Sequence, residues 1–295
     1  MGARVVPSRS YIWAGSHYTG RMMTGFLKMH GLGNDFVVVD ERAHRHDLTP
    51  ARIAALCDRH QGIGCDQFVT LRPACAEGAD VFVRFFNADG SESGACGNAS
   101  RCVADLLARE TGQEHVGLQT RAGVLHATVV RPGLVTVDMG APAMGWTDVP
   151  LAEERDTLHL PIAGDPAAVS MGNPHATFFL PAPDSVDPSV AGPGLEHHAL
   201  FPERANIGFA HVTSRDAMRL RVWERGSGLT LACGSGACAA VVNAVRRGLV
   251  ERTCTVTMDG GELCITWRES DGHVLMTGPA TTSFQGTFSP EDYPR

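Results

Sequence analysis

The stretch that decides the fold is Cys96-Gly97-Asn98-Ala99-Ser100-Arg101-Cys102, running into VADLLARE (103–110). Its counterpart is Cys233-Gly234-Ser235-Gly236-Ala237-Cys238, running into AAVVNAVRRG (239–248). Each is a thiol, then glycine with a small polar residue, then a helical pattern. Ala99, Cys102, Val103, Leu106 and Leu107 fall on one face at a 3.6-residue period, and Ala237, Cys238, Val241, Val242 and Val245 repeat the spacing. Gly112 follows the first helix; Arg246-Arg247-Gly248 gives the second a cationic last turn and a glycine stop. A thiol at a helix start lies in a field that favours its thiolate, and the free N–H groups beside it can hold a carboxylate.

Outward from the two segments, the halves of the chain align. Gly33-Asn34-Asp35 matches Gly172-Asn173-Pro174 at an offset of 139 (173 − 34), and Gly140 matches Gly278 at 138 (278 − 140). Arg84 with Arg221, Asn87 with Glu224 and Cys96 with Cys233 share an offset of 137 (233 − 96). Element order agrees between these landmarks. FLKMHGLGNDFVVVD and AVSMGNPHATFFL each read as strand, tight turn, strand; Thr49 caps a helix starting at Pro50; CTVTM, ELCITW and HVLMTG read as strands. The reading is an internal duplication: an α+β fold of two pseudo-symmetric domains, each a curled mixed sheet around its Cys helix. The domains are residues 25–141 plus 279–288, the last strand returning to the first domain, and 142–278. A pseudo-twofold relation would set the two helix starts across a cleft.

The 295 residues are 43% hydrophobic with a net charge of −7, which gives no basic footprint for nucleic acid, and no apolar run is long enough to span a membrane. Nine cysteines, an odd count with no apparent signal peptide, read as a cytoplasmic protein with reduced thiols. Lys28 is the sole lysine, so a Schiff-base cofactor would have to use it. Residues 1–24 read as a disordered N-terminal extension with a weak transit-peptide character, Met22 and Met23 being alternative starts.

Two opposed thiols suit inversion of a stereocentre, in which a thiolate takes a proton from one face of the carbon and a thiol delivers one to the other. A free Cys titrates near 8.5, so both forms can coexist near neutral pH. The developing carbanion is met by fixed dipoles, which paired helix starts supply.

The motifs HGLGNDF, RHQGIGCDQ, FNADGSESGACGNASRC, MGNPHA, ERANIGF, WERGSG and ACGSGACA resemble the diaminopimelate epimerase family from about Phe26 to Phe288. The resemblance implies a cofactor-independent epimerase of lysine and peptidoglycan biosynthesis that interconverts LL- and meso-2,6-diaminopimelate. It implies Cys96 and Cys233 as the acid/base pair, Cys233 accepting the proton of the LL substrate and Cys96 donating. Gly97, Asn98, Gly234 and Ser235 would bind the reacting carboxylate. Asn34, Gln67, Asn87, Asn173 and Asn206 would hydrogen-bond the substrate, and Glu224 and Arg225 would hold its far end. His175 and Glu224 would tune the thiols. Three departures stand out: Ala99 where Gly is common, Cys65 where a small residue is usual, and Phe284 where a Tyr is linked to homodimer contact.

The plainer readings are these. Cys102 and Cys238 pack in the core, Cys57, Cys65, Cys75, Cys254 and Cys264 carry no chemistry, and the remaining charged residues lie on the surface. The C-x5-C spacing of Cys96 and Cys102 with no paired His gives no metal site. The rival functions are a same-fold proline or hydroxyproline racemase or epimerase, against which Glu224-Arg225 argues, and a non-catalytic amino-acid-binding protein.

Overall fold

The computed structural model describes residues 17–18 and 21–293. Most of the N-terminal extension therefore lies outside the described residues. Its described part carries two two-residue strands, β1 (His17–Tyr18) and β2 (Arg21–Met22), paired antiparallel. The chain divides into two compact units: residues up to Gly31, Asp35–Val135 and Ala280 onward form the first; Leu32–Asn34 and Thr136–Pro279 form the second.

In the first unit, β3 (Thr24–Gly31) is followed by β4 (Asn34–Asp40), helix α1 (Pro50–Cys57), β5 (Gln67–Arg72), β6 (Val81–Asn87) and the short β7 (Glu92–Ser93). Helix α2 (Gly97–Thr111) leads to β8 (His115–Thr120) and β9 (Gly123–Arg131). The C-terminal strand, Thr281–Phe288, pairs antiparallel with β3. From it the sheet runs β3-β4-β5-β6-β8-β9. The runs FVVV of β4 and FVTL of β5 are buried on both faces, as β-branched and aromatic residues in a central strand should be. Thr49 Oγ1 accepts from Arg52 N at the start of α1, with Pro50 at the first helical position.

In the second unit, β10 (Leu134–Asp138) crosses the boundary. It is followed by β11 (Ala167–Ser170), β12 (Pro174–Phe179), α3 (Pro188–Glu196), β13 (Asn206–Ser214), β14 (Ala217–Glu224) and β15 (Gly228–Thr230). Helix α4 (Gly234–Arg246) then precedes β16 (Thr253–Met258), β17 (Gly261–Trp267) and β18 (Val274–Pro279). The sheet runs β11-β12-β13-β14-β16-β17-β18.

The duplication is written in the pairing itself. Strands β4 and β5 are parallel with Phe36 opposite Gln67, and β12 and β13 are parallel with His175 opposite Asn206. Thr70 faces Arg84 across the antiparallel β5–β6 pair, as Phe209 faces Arg221 across β13–β14. Each unit then has a parallel step over its Cys helix, β6–β8 and β14–β16, and a closing hairpin.

Helix α2 packs on β3 as well as on β8 and β9, strands from opposite ends of its sheet, so the sheet curls round it. This corrects the expectation of one apolar face. Every residue of α2 from Asn98 to Leu107 is buried, and so is every residue of α4 from Gly236 to Ala244. A helix wrapped on all sides has no solvent face. Burying Val241 and Val242 completely stabilises the second unit by roughly 1.5–3 kcal/mol each. Cys102 and Cys238 are fully buried in these helices, and burial pushes the Cys102 thiol up to about 12.

The expectation that the other charges lie on the surface also fails. Arg101 is fully buried, and Lys28, Glu41, Arg52, Asp105 and Glu196 are each under 10% exposed. Each is held by a partner; Arg72 Nε donates to Glu41, for example, and Gly133 N to Asp105. Buried charges persist only when paired in this way.

Candidate active site

The first unit builds its site on the start of α2. Cys96 is the N-cap, in extended conformation (φ −148°, ψ 111°), and its Sγ accepts from Ala99 N at 3.5 Å. The sulfur therefore sits where the first-turn N–H groups and the positive end of the helix dipole meet. Asn98, 4% exposed, is fixed by Arg101, whose Nη2 donates to Asn98 Oδ1 at 2.9 Å. Gln67 opens β5 directly opposite Asn87 at the end of β6, and Gln67 Nε2 donates to Asn87 Oδ1 at 3.1 Å.

A network not foreseen from the sequence braces this region. The Lys28 ammonium lies 2.6 Å from Asp35 and donates to the Gly64 carbonyl. Arg59 donates to both oxygens of Asp35, at 2.7 and 3.0 Å, and to Asp66 at 2.7 Å. Asp35 N and Asp66 N each donate to the other's carboxylate, at 3.1 and 2.9 Å. Burial acts to raise the Asp35 carboxyl, but the hydrogen bonds from Arg59 and Lys28 outweigh it and hold it well below the usual carboxylate range. Asp35 lies in HGLGNDF, and Arg59, Gly64 and Asp66 lie in RHQGIGCDQ.

The second unit builds on the start of α4. Cys233 is the N-cap, extended (φ −116°, ψ 107°) and 4% exposed, with Sγ 3.7 Å from Ser235 Oγ. Ser235 Oγ lies 3.0 Å from His175 Nε2, which lies 3.0 Å from Asn173 Oδ1. Asn206 Nδ2 donates to the Pro174 carbonyl at 2.9 Å, and its Oδ1 accepts from Arg225 N at 3.0 Å. Glu224 Oε1 accepts from Thr230 Oγ1 at 2.5 Å, a partner that no sequence motif marks. Buried Glu196 grips both sides of this strand end, accepting from Trp223 Nε1 at 2.7 Å and Gly226 N at 3.0 Å.

Asn34 belongs with this unit through its turn. Leu32 and Gly33 both have positive φ (58° and 83°), the two-residue hairpin geometry that ordinarily excludes leucine. Gly260 explains how Leu32 is held there. A Cβ on Gly260 would lie 2.0 Å from the Leu32 carbonyl oxygen, so glycine lets that backbone press against the turn.

The two thiols are not in equal settings. Burial pushes the Cys233 thiol well above its ordinary value, and the Glu224 carboxylate pushes it further. Hydrogen bonds from Gly236 N and Ser235 oppose both. His175 is also fixed by burial, aided by the Arg225 charge, which lowers it to about 3. Its unfolded form binds a proton below about 6.5, whereas the folded form does not until about 3. The unfolded state therefore holds more protons in that window, so stability rises with pH across it and is lost on acidification. His175→Gln is expected to lose less stability than the parent between pH 7 and pH 4.5, measured by urea denaturation at both.

Gly236 packs closely against the second thiol. A Cβ there would lie 3.1 Å from Cys233 Sγ and 3.0 Å from Val222 Cγ2. Gly236→Ala is expected to displace the sulfur and lower kcat about tenfold, below the ~10²-fold that a 1 Å misplacement can cost. A melting curve close to the parent's would separate this from loss of folding.

Among the described residues, no cluster of three or more His, Cys, Asp or Glu side chains could hold a metal ion, and no helix is long and apolar enough to cross a membrane.

Solved structures share the fold. One described as a predicted epimerase from Pseudomonas aeruginosa superposes with a TM-score of 0.65 at 18% identity, covering 90% of this chain and 98% of that one. A hydroxyproline epimerase from Agrobacterium vitis gives 0.65 at 16% identity, covering 90% and 92%. The duplicated α+β fold is thus the fold of these solved structures. The family model described as diaminopimelate epimerase matches residues 26–145 and 167–283. A protein of that name from Gluconobacter oxydans (strain 621H) is 64% identical over 266 residues, 90% of this chain and 99% of the relative. Another, from Acidiphilium cryptum (strain JF-5), is 60% identical over 265 residues, 88% and 95% respectively. The chain belongs to the diaminopimelate epimerase family.

Proposed function

We propose that this chain interconverts LL- and meso-2,6-diaminopimelate by proton transfer between two cysteines, a step of lysine and peptidoglycan biosynthesis. The observation that carries the reading is the repeated device: each unit independently caps its central helix with a cysteine, in a chain 64% identical to a relative named for this reaction. For the LL substrate, Cys233 is the base and Cys96 the acid. Glu224 hydrogen-bonds the Cys233 thiol and, with burial, favours its protonated form, so the N–H groups at the start of α4 have to offset both when the thiolate forms. The thiolate then removes the α-proton while the Cys96 thiol supplies one to the opposite face, and the roles exchange in reverse.

The reacting carboxylate is held by the N–H groups at the two helix starts, at Gly97, Asn98, Gly234 and Ser235. Developing negative charge is met there by dipoles already oriented. Gln67, Asn87, Asn34, Asn173 and Asn206 supply directional hydrogen bonds, and Glu224 and Arg225 receive the distal amino-acid end. Neutral His175 holds Ser235, and through it the helix start, without adding charge beside the thiol. The test is incubation with LL-diaminopimelate and chiral chromatography. Accumulating meso isomer, with trans-4-hydroxy-L-proline left unchanged, supports the assignment; no conversion of diaminopimelate contradicts it.

A homodimer in the cytoplasm completes the proposal, with Phe284 at the contact. Phe284 is 52% exposed and meets Phe26 edge-on at 6.0 Å. Phe284→Ala is expected to shift sedimentation velocity toward the monomer; a parent that sediments as a monomer at all concentrations overturns this.

A further inference from the structure

Cys57 and Cys65 lie outside the catalytic arrangement, yet their sulfurs are 3.4 Å apart. Cys57 closes α1 and is 3% exposed; Cys65 precedes Gln67 by two residues and is 2% exposed. Their backbones already meet. Cys65 N donates to Cys57 O at 3.1 Å, and Ile63 N and Gly64 N both donate to Leu56 O, at 2.9 and 3.0 Å. The intervening loop folds tightly back on α1, since a Cβ on Gly62 would lie 2.2 Å from the Ala55 carbonyl oxygen. The Lys28 ammonium, bonded to the carbonyl next to Cys65, places a positive charge near the pair, but the hydrogen bond with Cys65 and burial outweigh it and hold the Cys57 thiol well above its ordinary value.

We propose that Cys57 and Cys65 form a redox-active dithiol, a modification site at which a peroxide closes a reversible disulfide. An S–S bond of about 2.05 Å requires the sulfurs to approach by only about 1.4 Å, with the two chain segments already fixed at bonding range. The chemistry balances in two steps. One thiol attacks a peroxide oxygen; the O–O bond breaks, water leaves and a sulfenic acid remains. The second thiol attacks that sulfur; the S–S bond forms and a second water carries away the hydroxyl and the remaining thiol proton. The two sulfurs together give up two electrons, and the peroxide is reduced to two waters. Burial of both thiols makes the step one of local opening, slower than oxidation of the exposed Cys75.

The bridge would close a covalent loop around Arg59, the residue that ties Asp35 to Asp66 just ahead of Gln67. Oxidation therefore fixes the support of the first unit's site without consuming Cys96 or Cys233.

The test treats the full chain with hydrogen peroxide under native conditions, blocks free thiols after unfolding, and maps peptides. Cleavage after Arg59 places Cys57 and Cys65 on separate peptides. The expected result is a Cys57–Cys65 crosslinked pair, removed by dithiothreitol and absent in Cys65→Ala. With it comes a melting temperature about 2–8 °C above that of the reduced protein. Reduced Cys65→Ala melting near the reduced parent shows that the variant folds. The proposal is overturned if Cys57 and Cys65 both stay alkylatable when Cys75 is fully oxidised, or if Cys57 crosslinks to another cysteine instead.

Discussion

Alanine at either Cys96 or Cys233 is expected to lower epimerisation of diaminopimelate about 10²- to 10⁴-fold, the range a positioned acid or base contributes. The loss should be the same whether LL or meso isomer is supplied, because each direction needs a proton removed on one face and delivered on the other. Neither helix should be lost with its thiol. The capping bond to Cys96 is long, at 3.5 Å, and a thiol is only a weak acceptor for Gly236 N at the start of α4. Circular dichroism and melting are therefore expected to change little. A Cys96→Ala protein that epimerises at near-parental rate would remove the two-thiol assignment, since no other sulfur stands at a helix start among the described residues.

The second large effect is expected at Arg225. Its backbone is set by Asn206, and Glu196 pins the strand end on either side of it through Trp223 and Gly226. Its Nη1 donates to the Glu203 carbonyl at 3.0 Å, which orients the guanidinium. Receiving a distal carboxylate with charged hydrogen bonds is worth about 1.5–3 kcal/mol, so Arg225→Ala should raise KM by roughly 10- to 150-fold. The change in kcat should be smaller, because the lost contact is present in ground state and transition state alike. Arg225→Lys should recover only part of the loss, a point charge replacing a bidentate fork. If KM is unchanged and only kcat falls, Arg225 does not hold the far end of the substrate.

How much of this the sequence showed follows from which forces leave a local mark. Caps and stops are local: Thr49, Cys96, Cys233 and Gly112 stand at the helix ends read for them. The duplication showed because pairing register is kept by residue spacing, as at Arg84 and Arg221. What hid was set by tertiary burial. The apolar spacing of α2 marks only one face, so the burial of Arg101 left no local sign, nor did that of Glu196. The aligned halves also suggested more symmetry than the sites possess. The strand position that holds His175 in the second unit is filled by Phe36 in the first, and Ser235 takes its support from His175 where Asn98 takes it from Arg101. Burial differs as well: Cys233 is buried, whereas Cys96 is half-buried.

The measurement that bears most directly on two-thiol proton transfer is conversion of LL-diaminopimelate in deuterium oxide, with both isomers isolated at a few percent turnover. The account predicts one deuterium at the inverted carbon of the meso product, while the recovered LL isomer still carries protium. A product that retains the substrate's proton, or label entering both isomers equally from the outset, would contradict it.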